Sequence, residues 1–359
     1  MRPKRRALGH SMGRRAFLGR AATGICAGLA GGLMLPTVSS MRAAWAESIN
    51  YFRIGTGAAS GTFFPIGGIL ADAISNPPGS HACARGGNCG VPGLIAVAQS
   101  TAGSVANVEE INAGLLESGL SQADVAYWAY KGTKIFTDQG PLQNLRTIAN
   151  LFPQAFHIVV RRSARIRTVT DLKGKRVSID KPGSGTNVDA RLILKAYGIL
   201  DGDLELSFDP AGLAADKLRD GELDAFFLIA GPPAKAIESL ADEGIVTLVP
   251  IIGPEVEALK EAYPFFAEMD IQSGTYFNVP YTKTISVGAQ WLVSASVPDQ
   301  LVFEITRALW HENALALLDT GHPLGDIIAK DNALFGVAEP PLHPGAARFY
   351  EDNGLTSKG

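Results

Sequence analysis

Twice along the chain a short apolar strand runs directly into a loop of Gly, Ser and Thr and then into an amphipathic helix. The first instance is "INYFRIGTGAASGTFFPIGGILADAIS" and the second is "GKRVSIDKPGSGTNVDARLILKAYGI". Strands that alternate with helices pair in parallel through crossover connections, and the helices cover the faces of the sheet. Ligands of such sheets bind off the carboxyl ends of the strands, where both loops stand. Each loop sets small hydroxyl residues beside glycines: Ser60 and Thr62 with Gly57 and Gly61, then Ser184 and Thr186 with Gly185. Glycine lets backbone N–H groups come close to a ligand, and a helix N-terminus adds unpaired donors and partial positive charge. Two such loops facing each other across a cleft suit a carboxylate. If these hydroxyls serve only the ligand, replacing Ser184 and Thr186 by Ala weakens binding and leaves the stability of the empty protein unchanged.

The remaining pattern fills in two α/β lobes. The spacing of Phe64, Ile66, Ile69, Leu70 and Ala73 predicts a helix from about Phe63 to Ile74. "GLIAVAQST" reads as a strand, "GSVANVEEINAGLLES" as a helix capped by Ser104, and "LSQADVAYWAYKG" as a strand running into a helix. "LRTIANLFPQAFHIVVRR" holds two strand-like runs with Pro153 between them. In the second unit a strand is expected over residues 175–179 and a helix from about Asn187, with further strands in "LRDGELDAFFLIAG" and "GIVTLVPI". Near "IQSGTYFNVPYTKTISVGAQWLVSASVP" the chain crosses back and adds a long strand to the first unit, and "PDQLVFEITRALWHENALALL" reads as one amphipathic helix. The lobes are then residues 47–163 with 272–359, and residues 164–271.

Residues 1–46 are read separately. A basic segment, the apolar "AATGICAGLAGGLMLP" and the small-x-small "AWA" make an export signal cleaved after Ala46. "GRRAFLGR", with Arg14 and Arg15, resembles the twin-arginine signal, although the general secretion route stays open. Removing 46 of 359 residues leaves 313, enough for two cores. The signal takes eight of the 32 basic residues and no acid, so the remainder carries 24 basic against 35 acidic residues, a net charge of −11. That balance argues against nucleic acid and anionic lipid as partners. Cys83 and Cys89 remain in "HACARGGNC" and read as a disulfide in an oxidising compartment; zinc, with His81 as third ligand, lacks a fourth.

Enzymatic signals are sparse. "GTGAASG" is one residue too long for the dinucleotide fingerprint, and the acid expected about 20 residues on falls in a Pro-rich loop. Ser184 lacks the nucleophile elbow, His157 reads as a core histidine, and His311 lacks the second histidine of a zinc helix. We expect no metal, no cofactor and no catalytic residue. An exported cofactor-binding oxidoreductase and a ligand-binding sensor partner stay open as alternatives.

At "IGTGAASGTFFPIGG", "QSTAGSVANVEEINAG", "LSQADVAYWAYKG", "DLKGKRVSIDKPGSGTNVDARLIL", "GELDAFFLIAGPP" and "LHPGAARFYEDNG" the chain closely resembles the TAXI family of substrate-binding proteins from TRAP transporters. The resemblance implies a type II periplasmic binding protein fold: two lobes, each a mixed sheet flanked by helices, joined by two crossing strands. It also implies a monomeric periplasmic receptor that delivers glutamate, a related amino acid or a dicarboxylate to a TRAP permease. Carried onto this sequence, it marks Gly57, Ser60, Gly61, Thr62 and Phe63 as ligand-binding, with Ser104 and Asn107 at the next helix start. It further marks Gln122, Asp124 and Tyr127, then Ser184, Gly185 and Thr186, and Thr275 and Tyr276 near the return crossing. Asp124 would accept a ligand amine. "SNPPGSHACARGGNCGVPG" is an insertion, expected as a disulfide-pinned surface loop that would alter ligand choice if it leaned over the cleft.

Overall fold

Alternate residues of β1 (Asn50–Gly55) point to opposite faces, so Phe52 and Ile54 are buried together. They pack against α1 (Phe63–Ile74), whose Ile66, Leu70 and Ile74 recur four apart on one face. The computed structural model describes residues 49–87 and 89–355, and the expected export signal, residues 1–46, lies outside the described residues. After α1 come the two-residue strands β2 (Ser75–Asn76) and β3 (Val91–Pro92), then β4 (Leu94–Gln99), α2 (Ser104–Asn112), β5 (Ser118–Gln122), α3 (Ala123–Lys131) and β6 (Leu145–Arg161). The second half contributes β7 (Arg176–Ser178), α4 (Gly185–Ala196), β8 (Glu205–Ser207), α5 (Ala211–Asp220) and β9 (Ala225–Ala230). It continues with α6 (Lys235–Asp242), β10 (Val246–Leu248), α7 (Pro254–Ala262) and β11 (Phe266–Ile271). The chain closes with β12 (Thr282–Ser294), α8 (Asp299–Leu309), α9 (Glu312–Gly321) and α10 (Pro344–Asp352).

The main strands lie in the order β4-β1-β5-β12-β6-β9-β7-β8, with β10 beside β6 and β11 beside β12. β1 pairs in parallel with β4 and β5, and β7 with β8 and β9, as the alternation of strands and helices predicts. Two strands belong to both ends of this array. β6 meets β12 through residues 145–155, then β9 and β10 over residues 155–161. β12 meets β11 over residues 282–287, then β6 and β5. One core gathers Phe52, Leu70, Trp291, Val302 and Tyr350, and another gathers Phe156, Val177, Ile193, Phe227 and Ile285. Two cores threaded by two crossing strands make the two-lobed type II periplasmic binding protein architecture.

Four local expectations are corrected. Pro153 does not divide two strands: β6 is continuous through it, because Pro153 is exposed and precedes the start of β9 pairing at Ala155. A Pro in a strand is tolerated where its missing N–H breaks no ladder bond. Ser104 is the first residue of α2 rather than its cap, and Gly103 holds the cap position at φ 125°. α4 begins at Gly185, two residues earlier than expected, because Ser184 Oγ accepts the Asn187 N–H at 3.0 Å and caps it. The helix expected over 298–318 is two: His311 Nδ1 accepts the Asn313 N–H at 3.2 Å and starts α9 afresh. Apolar spacing continues across that break, so periodicity alone does not show it.

The insertion is pinned by a Cys83–Cys89 disulfide above the β2–β3 pair. It rests beside α9, where Asn313 Nδ2 donates to Cys89 Sγ at 2.9 Å, and it does not line the cavity described below. Among the described residues, no helix is long and apolar enough to cross a membrane.

Candidate functional site

A cavity of about 60 Å³ lies between the two loops that opened the sequence analysis. Gly57, Gly61, Thr62 and Phe63 line it from the first loop, with Ser104 and Gln122 beside them. Ser184, Gly185 and Thr186 line it from the second loop. Sequence reasoning did not single out Gln154, Asp180 and Ala211, which also reach the wall. No Lys, Arg or His is among the lining residues.

Four helix N-termini converge there: α1 through Thr62 and Phe63, α2 through Gly103 and Ser104, α4 through Ser184 and Gly185, and α5 through Ala211. The first N–H groups of a helix lack intrahelical acceptors, so each start offers donors and partial positive charge. Gln154, 2 % exposed, adds a side-chain donor, since its Nε2 has no partner among the described residues. The wall also carries one carboxyl group, which would repel an anion and attract an amine. Asp180 stands at the end of β7 with φ 64°, and its Oδ1 accepts the Lys181 N–H at 2.7 Å. Burial pushes its carboxyl above the ordinary aspartate range, while that N–H, Ser184 and the Lys181 charge act in the opposite direction.

The loop hydroxyls also work within the protein. Ser184 Oγ caps α4, Thr186 Oγ1 accepts the Ile229 N–H at 3.1 Å, and Thr62 Oγ1 donates to Gly231 O at 3.1 Å. Each hydroxyl of Ser184 and Thr186 therefore has a structural partner before any ligand arrives, which corrects the expectation that removing them spares stability.

The two halves touch around the cavity. Ala106 N–H donates to Gly183 O at 3.1 Å, and Lys181 Nζ to Thr101 O at 3.2 Å. Ser104 Oγ donates to Gln122 Oε1 at 3.2 Å, and Gln122 Nε2 to Asp189 Oδ2 on α4 at 2.6 Å. Gly185 permits this approach, because a Cβ there would fall on Gln122 Oε1. Ser60 is half-buried and away from the cavity wall; it packs where a Cβ on Gly212 of α5 would lie 3.2 Å from its Oγ.

The remaining marked residues lie elsewhere. Asn107 spends its whole amide on the fold, donating to Thr56 O and Leu120 O and accepting from Thr101 Oγ1, each at 2.7 Å. Tyr127 packs against Phe265, with ring centroids 5.7 Å apart. Asp124 is buried behind the cavity against Asp189, where no ligand amine reaches it. Thr275 lines a separate surface hollow. Tyr276 is buried, and its hydroxyl meets His157 Nε2 and the Ala234 N–H, each at 3.0 Å. Burial pushes His157 down to about 4, as suits a neutral core histidine whose Nδ1 faces Leu228 O at 3.1 Å. His311 comes within 4.8 Å of Cys83 and Cys89, but both sulfurs are committed to the disulfide.

Of the missed residues, Asp180 directly precedes the second loop and Ala211 follows the helix-starting Pro210, so both carried a local signal. Gln154 carried none. It sits in mid-strand, and only the crossing of β6 brings it to the cleft.

The model of the NMT1-like family matches residues 54–354. Among solved structures, the alkanesulfonate-binding protein SsuA of Xanthomonas axonopodis pv. citri bound to MOPS is 16% identical, with 87% of this chain and 82% of that chain covered at a TM-score of 0.45. The arginine-bound form of truncated ArgBP from T. maritima is 14% identical, covering 72% and 94% at a TM-score of 0.41.

Proposed function

The chain belongs to the NMT1-like family, and from that premise we propose that it is a non-enzymatic extracytoplasmic solute receptor. It closes two lobes, residues 47–163 with 272–359 and residues 164–271, over a small carboxylate-bearing ligand. The observation that carries this reading is the convergence of four helix N-termini and the unpartnered Gln154 amide on one cavity free of basic side chains. Such donors hold an anion without the desolvation cost of a buried ion pair. Asp180, in the same wall, favours a ligand that also carries an amine, so we place an amino acid of glutamate type ahead of a dicarboxylate. The resemblance to TAXI proteins supports export through residues 1–46, a monomeric state and delivery to a TRAP permease.

The cavity is small for such a ligand: 60 Å³ compares with roughly 150 Å³ for one that holds benzene. Entry of a solute therefore parts the cross-lobe contacts at Ala106, Lys181 and Gln122, and closing restores part of them around it. Ligand contacts that exist in only one of two states shift the balance toward that state.

The test is a thermal shift of protein unfolded and refolded to strip bound solute, against amino acids, dicarboxylates, oxo acids and alkanesulfonates. We expect saturable stabilisation by one carboxylate class. Silence across the panel, with a chromophore in the untreated protein, would favour the oxidoreductase alternative instead.

A further inference from the structure

Behind the cavity wall, Asp124 in the first turn of α3 and Asp189 on α4 bring two carboxyl groups from opposite lobes into hydrogen-bonding contact. Both residues are wholly buried. Gln122 Nε2 donates to Asp189 Oδ2 at 2.6 Å; the backbone N–H groups of Asp124 and Val125 at the start of α3 favour the ionised Asp124, and no described side chain donates to Asp124 or to the other oxygen of Asp189. Two ionised carboxylates in such contact, with no cation between them, would repel strongly.

We propose that Asp124 and Asp189 share a single proton, taken from solvent, which clasps the two lobes together, so that the closed cleft holds one proton more than the open one. Asp189 carries the proton and donates it to the ionised Asp124, while Gln122 Nε2 holds the second oxygen of Asp189. Gln122 and the adjacent Ser104 also line the cavity, so the clasp stands one hydrogen bond behind the solute site.

Among the described residues no cationic side chain bonds to the pair; the start of α3 turns its partial positive charge on Asp124, and in the loop before α4 Lys181 reaches Thr101 O while Asp180 lines the cavity. On α2, Glu109 is exposed and Glu110 half-buried; on α3, Lys131 pairs with Glu339. Lys134, after α3, donates to Tyr263. On α4, Arg191 pairs with Asp201 and Lys195 is exposed. On α7, Lys260 pairs with Glu257 and Glu268, while Glu255 is half-buried and Glu261 exposed; Lys283 on β12 is exposed. β5 and β9 carry no charged residue. Burial accordingly raises both carboxyls above the usual aspartate range, and the neighbouring Asp124 lifts Asp189 well above it. The coupled pair is one titrating unit.

The sign follows from proton counting. Opening exposes the carboxyls to water, where they ionise at ordinary values, so the open form releases the proton. Above the ordinary aspartate range and up to the raised value of the pair, the closed-to-open ratio falls about tenfold per pH unit.

The clasp presupposes the opening cleft of the receptor reading, but its first test needs no solute. Infrared spectroscopy of the purified protein at neutral pH is expected to show a protonated carboxylic acid band that is lost in both Asp124→Asn and Asp189→Asn. A wild-type spectrum without that band overturns the proposal whether or not the variants fold, and so does a band unchanged in both. Small-angle scattering then follows the radius of gyration as pH rises through the titration of that band. The wild type is expected to expand, and Asp124→Asn, whose amide donates to Asp189 without a titrating proton, to stay compact. A wild-type radius constant through that titration overturns the clasp. Failure of every solute in the thermal-shift panel would remove the receptor reading and leave the infrared result standing.

Discussion

The two glycine-rich loops look alike in sequence and differ in how they are held. In the second, the polar side chains bond mainly within their own lobe: Ser184 to the Asn187 N–H, Thr186 to the Ile229 N–H, and Asn187 Nδ2 to Asp180 O at 2.9 Å. In the first, they reach across. Thr62 donates to Gly231 O, Ser60 packs against Gly212, and α1 starts with no side-chain cap. The second loop is preorganised by its own helix, whereas the first takes part of its bonding and packing from Gly231 and Gly212, beyond its own helix. Preorganised donors lose less freedom on binding, so the second loop should supply the rigid half of the site.

The largest effect we expect comes from Gly185→Ala, since the added Cβ meets buried Gln122, which is itself bonded to Ser104 and Asp189. Overpacking there costs about 1 to 3 kcal/mol in the closed state alone, a roughly five- to 150-fold loss of solute affinity by calorimetry. Unchanged affinity would mean that the lobes do not approach this closely with solute bound. Ser184→Ala removes the cap of α4 and should cost about 1 kcal/mol of stability in the empty protein, read as a lower Tm. If Tm holds, the second loop is not self-supporting and the contrast between the loops fails. Thr62→Val deletes a buried bond across the cleft that the solute-free structure already makes; the expected result is about 1 kcal/mol less stability in the empty protein, read as a lower Tm. The smallest effect is Ser60→Ala, which should leave stability within about 0.5 kcal/mol of wild type. A larger fall in stability would assign Ser60 a bonding role that its packing against Gly212 does not suggest.

Much of the architecture was legible because burial imposes periodicity. The spacing of Phe64, Ile66, Ile69, Leu70 and Ala73 points to a helix from about Phe63 to Ile74, where α1 stands, and the strand-loop-helix repetition indicates two parallel sheet segments. The crossing strand β12 was also visible as a change to alternating residues. What periodicity missed was punctuation. The cap that splits α8 from α9 is a histidine, and Pro153 lies inside β6 at a place where one ladder partner is missing.

The sequence by itself determined that two loops of small residues end strands and start helices, because Gly, Ser and Thr carry those backbone preferences locally. Only the tertiary structure decided which marked residues reach the cavity. Asn107 and Tyr276 are consumed by the fold, Asp124 is turned away to face Asp189, and Gln154 and Asp180 take places in the wall. Hydrogen-bonding capacity is finite, and whether a polar side chain is free for a ligand depends on partners more than 100 residues away in the chain, 119 for Tyr276 and His157 and 169 for Thr62 and Gly231.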